Sequence, residues 1–108
     1  MSVRNLDQLF APRSVAVIGA SARPHSVGAT VLRNILAGGF KGPVYPVNPK
    51  YDTLCGLRAW PGIGALPEAP GLAIICTPAA TVPGIVGQLG AAGTRAAIIL
   101  SAGLGAEK

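Results

Sequence analysis

The segment Val15-Ala16-Val17-Ile18-Gly19-Ala20-Ser21-Ala22-Arg23-Pro24-His25-Ser26-Val27-Gly28 has the residue types and spacing to bind an anion. Four apolar residues run into a glycine, a small polar loop follows, and a helical pattern begins at Ser26. Strand, tight turn and helix N-terminus in that order turn backbone N–H groups outwards, where they hold phosphate. Lys50 follows the next apolar run, Val44-Tyr45-Pro46-Val47, and sets a positive charge at the end of a second strand. Thr77-Pro78-Ala79 and Ser101-Ala102-Gly103-Leu104-Gly105 are two more small loops placed directly after apolar runs. None of these loops carries a carboxylate, so phosphate is electrostatically admissible at each.

Such loops act together only if a sheet gathers them. Strands are expected at Ser14–Ile18, Val44–Val47, Leu72–Cys76 and Ala96–Leu100, with an edge strand over Leu57–Trp60. Pro46 makes the second of these the least regular. A helix capped by Ser26 carries Val27, Val31, Leu32, Ile35 and Leu36 on one face and stops at Gly38-Gly39. A second opens at Thr81, presents Val82, Ile85, Val86 and Leu89, and closes by Gly93. Gly62–Pro67 reads as a loop or a single helical turn, and Leu6, Leu9 and Phe10 as a short amphipathic turn before Pro12. Alternating strands and helices imply parallel pairing with right-handed crossovers. The fold class is therefore α/β: a Rossmann-like, doubly wound parallel sheet of about five strands in the order 3-2-1-4-5. Its ligands would lie beyond the carboxyl ends of the strands, where the four loops meet. A fifth strand with no helix after it leaves one face uncovered, so the domain reads as truncated.

Composition narrows the function classes. The 108 residues fit one small domain, and half of them are apolar with only 12% charged, as in sheets of buried parallel strands. No apolar stretch approaches the roughly 18 residues of a membrane span. The N-terminus lacks the layout of a signal peptide, so the expected compartment is cytoplasmic. Nine Lys/Arg against four Asp/Glu give a net charge of +5, which favours anionic partners. Those cations are scattered without aromatic interleaving, which argues against a nucleic-acid surface. The high apolar fraction is compatible with a homo-oligomer or with a missing neighbour.

Several tempting residues are read plainly. Cys55 and Cys76 have neither metal-ligand nor redox spacing; Cys76 is expected as a buried strand residue, and no disulfide is expected. His25, the sole histidine, sits beside Pro24 with no carboxylate to orient it and is read as a solvated loop residue. Tyr51 and Trp60 are read as turn and edge-strand packing rather than base-stacking platforms. Glu107 is assigned no role. No Ser/His/Asp, Cys/His or paired-carboxylate arrangement offers a catalytic centre.

The choice of nucleotide rests on two positions. A dinucleotide fingerprint reads G-x-G-x-x-G with an acidic residue about 20 positions further on to hold the ribose hydroxyls. Here Ser21 replaces the second glycine, and Lys50 stands where the acid belongs. An ammonium only donates, so it suits a phosphorylated ribose. Coenzyme A, with a 3′-phosphate and a diphosphate, fits Lys50 together with Arg23; NADP, with its 2′-phosphate, is the competing ligand.

Val15–Ser21, Ser26-Val27-Gly28, Gly39-Phe40-Lys41-Gly42, Val44–Lys50 and Ser101-Ala102-Gly103 together match one pattern. The chain resembles the N-terminal CoA-binding domain of NDP-forming acyl-CoA synthetases, relatives of the succinyl-CoA synthetase α subunit. The same module is fused to acetyltransferase domains in bacterial protein lysine acetyltransferases. The resemblance runs from about Leu6 to the end. It implies that residues 1–108 are a CoA-binding domain, a fragment of a longer multidomain protein whose further domains bear a phosphohistidine and an ATP-grasp fold, or an acetyltransferase. It implies that Gly19, Ala20, Ser21, Ser26 and Val27 cradle the CoA phosphates, with Arg23 nearby. Lys50 would pair with the 3′-phosphate, Thr77 and Pro78 would line the adenine or pantetheine side, and Ser101, Ala102 and Gly103 would approach the thiol arm. Leu104 departs from the usual Phe. The parent activity implied is that of an acid–thiol ligase (acyl-CoA + NDP + phosphate ⇌ carboxylate + NTP + CoA), to which this chain would contribute a platform for CoA or acyl-CoA and no catalytic group. An NAD(P)- or CoA-sensing regulatory module is the alternative, and a Rossmann-like interaction domain with an empty site a third.

Overall fold

The computed structural model describes residues 12–100. The expected turn at Leu6–Phe10 and the Ser101–Gly103 loop lie outside the described residues. Strand β1 (Val15–Ile18) is buried along its whole length, as a central parallel strand with apolar neighbours on both faces must be. Helix α1 (Val27–Ala37) follows, then β2 (Val44–Val47), a hairpin of β3 (Thr53–Leu54) and β4 (Leu57–Arg58), β5 (Leu72–Ile75), α2 (Val82–Ala92) and β6 (Ala96–Ile99). The main sheet is a four-stranded parallel one in the order β2-β1-β5-β6. This is the doubly wound Rossmann-like arrangement.

The expected edge strand over Leu57–Trp60 is corrected by the structure. Leu57–Trp60 does not extend along β2; only Trp60 does, through a single parallel bridge to Val47. The hydrogen bonds explain why. On its inner side β2 receives the β1 amides, Val15 N donating to Pro43 O at 3.0 Å and Gly19 N to Val47 O at 2.9 Å. The even-numbered positions of β2 therefore turn outwards. Asn48 N donates to Trp60 O at 2.9 Å, and Trp60 N donates to Pro46 O at 2.8 Å. One step back, Pro46 has no N–H to offer, so the outer ladder ends there. Leu57 and Arg58 pair antiparallel with Leu54 and Thr53 instead. Their two-residue turn, Cys55-Gly56, has φ of +52° and +79°, the left-handed pair that closes a tight hairpin. Trp60 packs as expected of an edge residue, edge-on to Tyr45 at 6.1 Å with the Arg58 guanidinium 4.2 Å from its ring centre.

Odd and even residues of the strands feed two cores. Val15, Val17, Leu72, Ile74 and Ala96 pack with Leu32 beneath α1; Ala16, Ile18, Ala73 and Ile75 pack with Leu89 of α2 on the other face. Each helix is thus fixed to the sheet with its N-terminus at the strands' carboxyl ends, which is what the site requires. The helix stops follow the glycines: Gly39 carries φ +80° after α1, and Gly93 φ +100° after α2. Helix α2 is led in by a tight 3-10 turn, Ala79–Thr81, and a second such turn over Ile63–Ala65 occupies the expected loop.

Candidate functional site

Gly19 ends β1 at φ +88°, where a side chain would also collide with the Thr77 methyl at 2.9 Å. Gly28, in the first turn of α1, packs so closely that a Cβ there would overlap the Gly19 carbonyl oxygen. These two glycines press helix against strand, as the outer glycines of a nucleotide-binding turn do. Ser26 caps the helix: its Oγ accepts from Ala29 N at 3.2 Å and donates to Arg23 O at 2.8 Å. The amides of Val27 and Gly28 have no intrahelical acceptor and are left for a ligand. Ser21 is buried, and its Oγ accepts from Arg23 N at 2.9 Å.

Asn48 ties the second loop to the first. Its Nδ2 donates to Ala20 O at 2.9 Å, and its Oδ1 accepts from Lys50 N at 2.9 Å. The side chain thereby folds the lysine turn and fastens it to the glycine loop. Asn48 was given no role from the sequence, although Asn two residues before a turn amide is a known signal.

Over these groups lies a cleft of about 650 Å³, within the roughly 300–1,000 Å³ usual for ligand sites. Gly19, Ser21, Arg23, Ser26, Val27, Lys50, Thr77 and Pro78, all read from the sequence, line it. Ala20 does not: its side chain is fully buried in the α1-side core, and its carbonyl is taken by Asn48. Ser101, Ala102 and Gly103 lie outside the described residues. His25, Tyr51 and Cys76 line the cleft as well. His25 is exposed, as expected, and holds φ +66°. Both cysteines are free. Burial pushes the Cys76 thiol up to about 11, so it stays protonated and inert at neutral pH. Across Gly19, Asn48 and Thr77, on the α2 face, a second recess of about 250 Å³ is lined mainly by Val47, Pro49, Pro61, Ile63 and Ile85, with Gln88 at its edge.

The cleft contains two cations and no carboxylate among its lining residues. A smaller cavity of about 140 Å³ lies at the other end of the sheet, where Glu68 accompanies Arg13 and Arg95. It lacks the helix N-terminus and the strand ends that make an anion site. Among the described residues no group of His, Cys, Asp and Glu could hold a metal ion, and no helix is long and apolar enough to cross a membrane.

Residues 13–107 match the family model described as a CoA binding domain. The chain belongs to that CoA-binding family. It is 44% identical over 102 residues to a trans-feruloyl-CoA synthase from an unknown prokaryotic organism, covering 94% of this chain and 14% of that protein. It is 38% identical over 106 residues to the ADP-forming acetate–CoA ligase II of Archaeoglobus fulgidus, covering 98% and 16%. Among solved structures it superposes on the dinucleotide forming acetyl-coenzyme A synthetase 1 of Ca. Korarchaeum cryptofilum with a TM-score of 0.81 and 42% identity, covering 85% of this chain and 20% of that one. As a CoA-binding domain, the chain spans only about a seventh of the length of these curated relatives.

Proposed function

We propose that the α1-side cleft binds coenzyme A or acyl-CoA through its phosphates. The carrying observation is a cleft whose strand ends supply free backbone amides and Lys50, with no carboxylate in the lining. The diphosphate sits against the Gly19–Ser21 turn and on the amides of Val27 and Gly28. Lys50, held by the Asn48 turn, faces the ribose and pairs with the 3′-phosphate. The apolar recess across Gly19 and Thr77 receives the adenine or the start of the pantetheine arm. Arg23 closes the solvent side.

The parent protein on this reading is an ADP-forming acyl-CoA (acetate–CoA) synthetase. The phosphohistidine and ATP-grasp chemistry belongs to other domains, and this chain provides only the CoA platform, in the cytoplasm. Calorimetry on the 108-residue chain with CoA, dephospho-CoA and NADPH tests it. CoA binds best, loses affinity without its 3′-phosphate, and weakens about tenfold in Lys50→Ala, the loss of one solvent-screened charged contact. NADPH binding tighter than CoA refutes the reading and favours the regulatory nucleotide module; detectable acyl-CoA synthesis by the chain alone refutes its role as a platform without catalytic groups.

A further inference from the structure

One polar group in the cleft has no part in the phosphate cradle described above: the Tyr51 hydroxyl. Its ring packs against the α1-side core, next in chain to Lys50. Tyr51 N donates to Asn48 O at 3.3 Å, so the turn that fixes the lysine fixes the phenol too. The hydroxyl lies 3.4 Å from Ser21 Oγ, well beyond the roughly 2.7–2.8 Å of a settled hydroxyl pair. The Ser21 oxygen is already engaged by Arg23 N. Two hydroxyls therefore face each other across a gap bordered by Lys50 and Arg23.

The electrostatic setting agrees. The long contact with the Ser21 hydroxyl and then the Ala22 backbone N–H hold the phenol below its ordinary value; burial opposes them, and the charges of Arg23 and Lys50 add lesser lowering effects. Such surroundings favour an anionic oxygen, and an arriving phosphate would bring three.

We propose that Tyr51 is a specificity residue whose phenol O–H donates to the phosphate monoester on the ribose, jointly with Lys50. The inference rests on the CoA reading and goes beyond it: one lysine supplies charge, whereas a rigid aromatic donor beside it supplies direction. A diphosphate on the helix N-terminus alone does not need the phenol; the 3′-phosphate does.

Tyr51→Phe removes one oxygen and keeps the ring in its packing, and its thermal midpoint checks the fold. Calorimetry then compares CoA with dephospho-CoA on the wild-type chain and the variant. The expected result is a loss of about tenfold for CoA, the usual weight of a hydrogen bond to a charged group, with dephospho-CoA unchanged. Equal losses for both ligands would overturn the proposal, because the phenol would then serve the diphosphate loop or the fold. Unchanged CoA affinity in Tyr51→Phe would overturn it too, while leaving the CoA reading intact. A wild-type chain that binds no CoA removes both.

Discussion

The contact between α1 and β1 is testable by making one substitution at two glycines. At Gly87, in the exposed middle of α2, a Cβ meets nothing within 4 Å. Gly87→Ala therefore expresses helix propensity alone, a gain of about 0.8–1.0 kcal/mol. In a domain of this size that raises the melting midpoint by about 4–8 °C. At Gly28 the same methyl overlaps the Gly19 carbonyl oxygen and approaches Ala20 Cα at 3.1 Å. Both obstacles are backbone, so no rotamer change relieves them. Forcing a methyl into a packed contact costs about 1–3 kcal/mol, and backbone obstacles place this case at the upper end. The propensity gain of about 1 kcal/mol offsets part of it. Gly28→Ala is thus expected to lose about 2 kcal/mol, lowering the midpoint by about 8–16 °C, and to weaken CoA because the Val27 and Gly28 amides move off the phosphate. Differential scanning calorimetry with and without CoA reads both effects. A Gly28→Ala chain as stable as Gly87→Ala, with CoA affinity intact, would refute the close approach from which the anion site is argued.

Two further outcomes follow from the same loops. Asn48→Ala removes the bonds to Ala20 O and from Lys50 N, so it is expected to lower stability by about 1–2 kcal/mol and to loosen CoA as Lys50→Ala does; Asn48→Ala with wild-type CoA affinity would show that the turn does not position the lysine. At pH 8, iodoacetamide is expected to alkylate exposed Cys55 and spare Cys76, whose thiol ionises only as the pH nears about 11, and mass spectrometry of the peptides checks the order.

Most of the cleft's lining was legible in the sequence because parallel strands announce themselves. A run such as Val15–Ile18 is apolar on every residue, and the residue that follows it must lie at the sheet's carboxyl edge. That logic alone brings Gly19, Lys50 and Thr77 to one place. Ser26 carried its capping role in its residue type and position. What escaped were the facts that depend on hydrogen-bond phase. The outward-facing amide missing at Pro46 shortens the edge strand, and this is visible only once the β1–β2 register is known. Ala20 sits inside a motif of site residues, yet the left-handed Gly19 just before it, at φ +88°, breaks the strand's alternation and leaves the Ala20 side chain in the α1-side core. Tyr51 was read as packing, which its ring does; where its hydroxyl ends depends on the Asn48 turn, a tertiary arrangement no spacing rule encodes.

The materials of the cleft also bear on what kind of site it is. Its donors are backbone amides and hydroxyls fixed by caps and turns, joined by the side-chain charges of Lys50 and Arg23. Fixed amides cost little reorganisation when a phosphate arrives, and they hold it equally well at every stage of a reaction. Uniform binding of that kind lowers a dissociation constant without lowering a barrier. The one thiol in the lining, that of Cys76, is held protonated by burial, and the one imidazole, His25, is exposed, with no carboxylate in the lining to orient it. Under the proposed function, a cleft so made grips coenzyme A by its nucleotide handle, at the far end of the cofactor from its thiol.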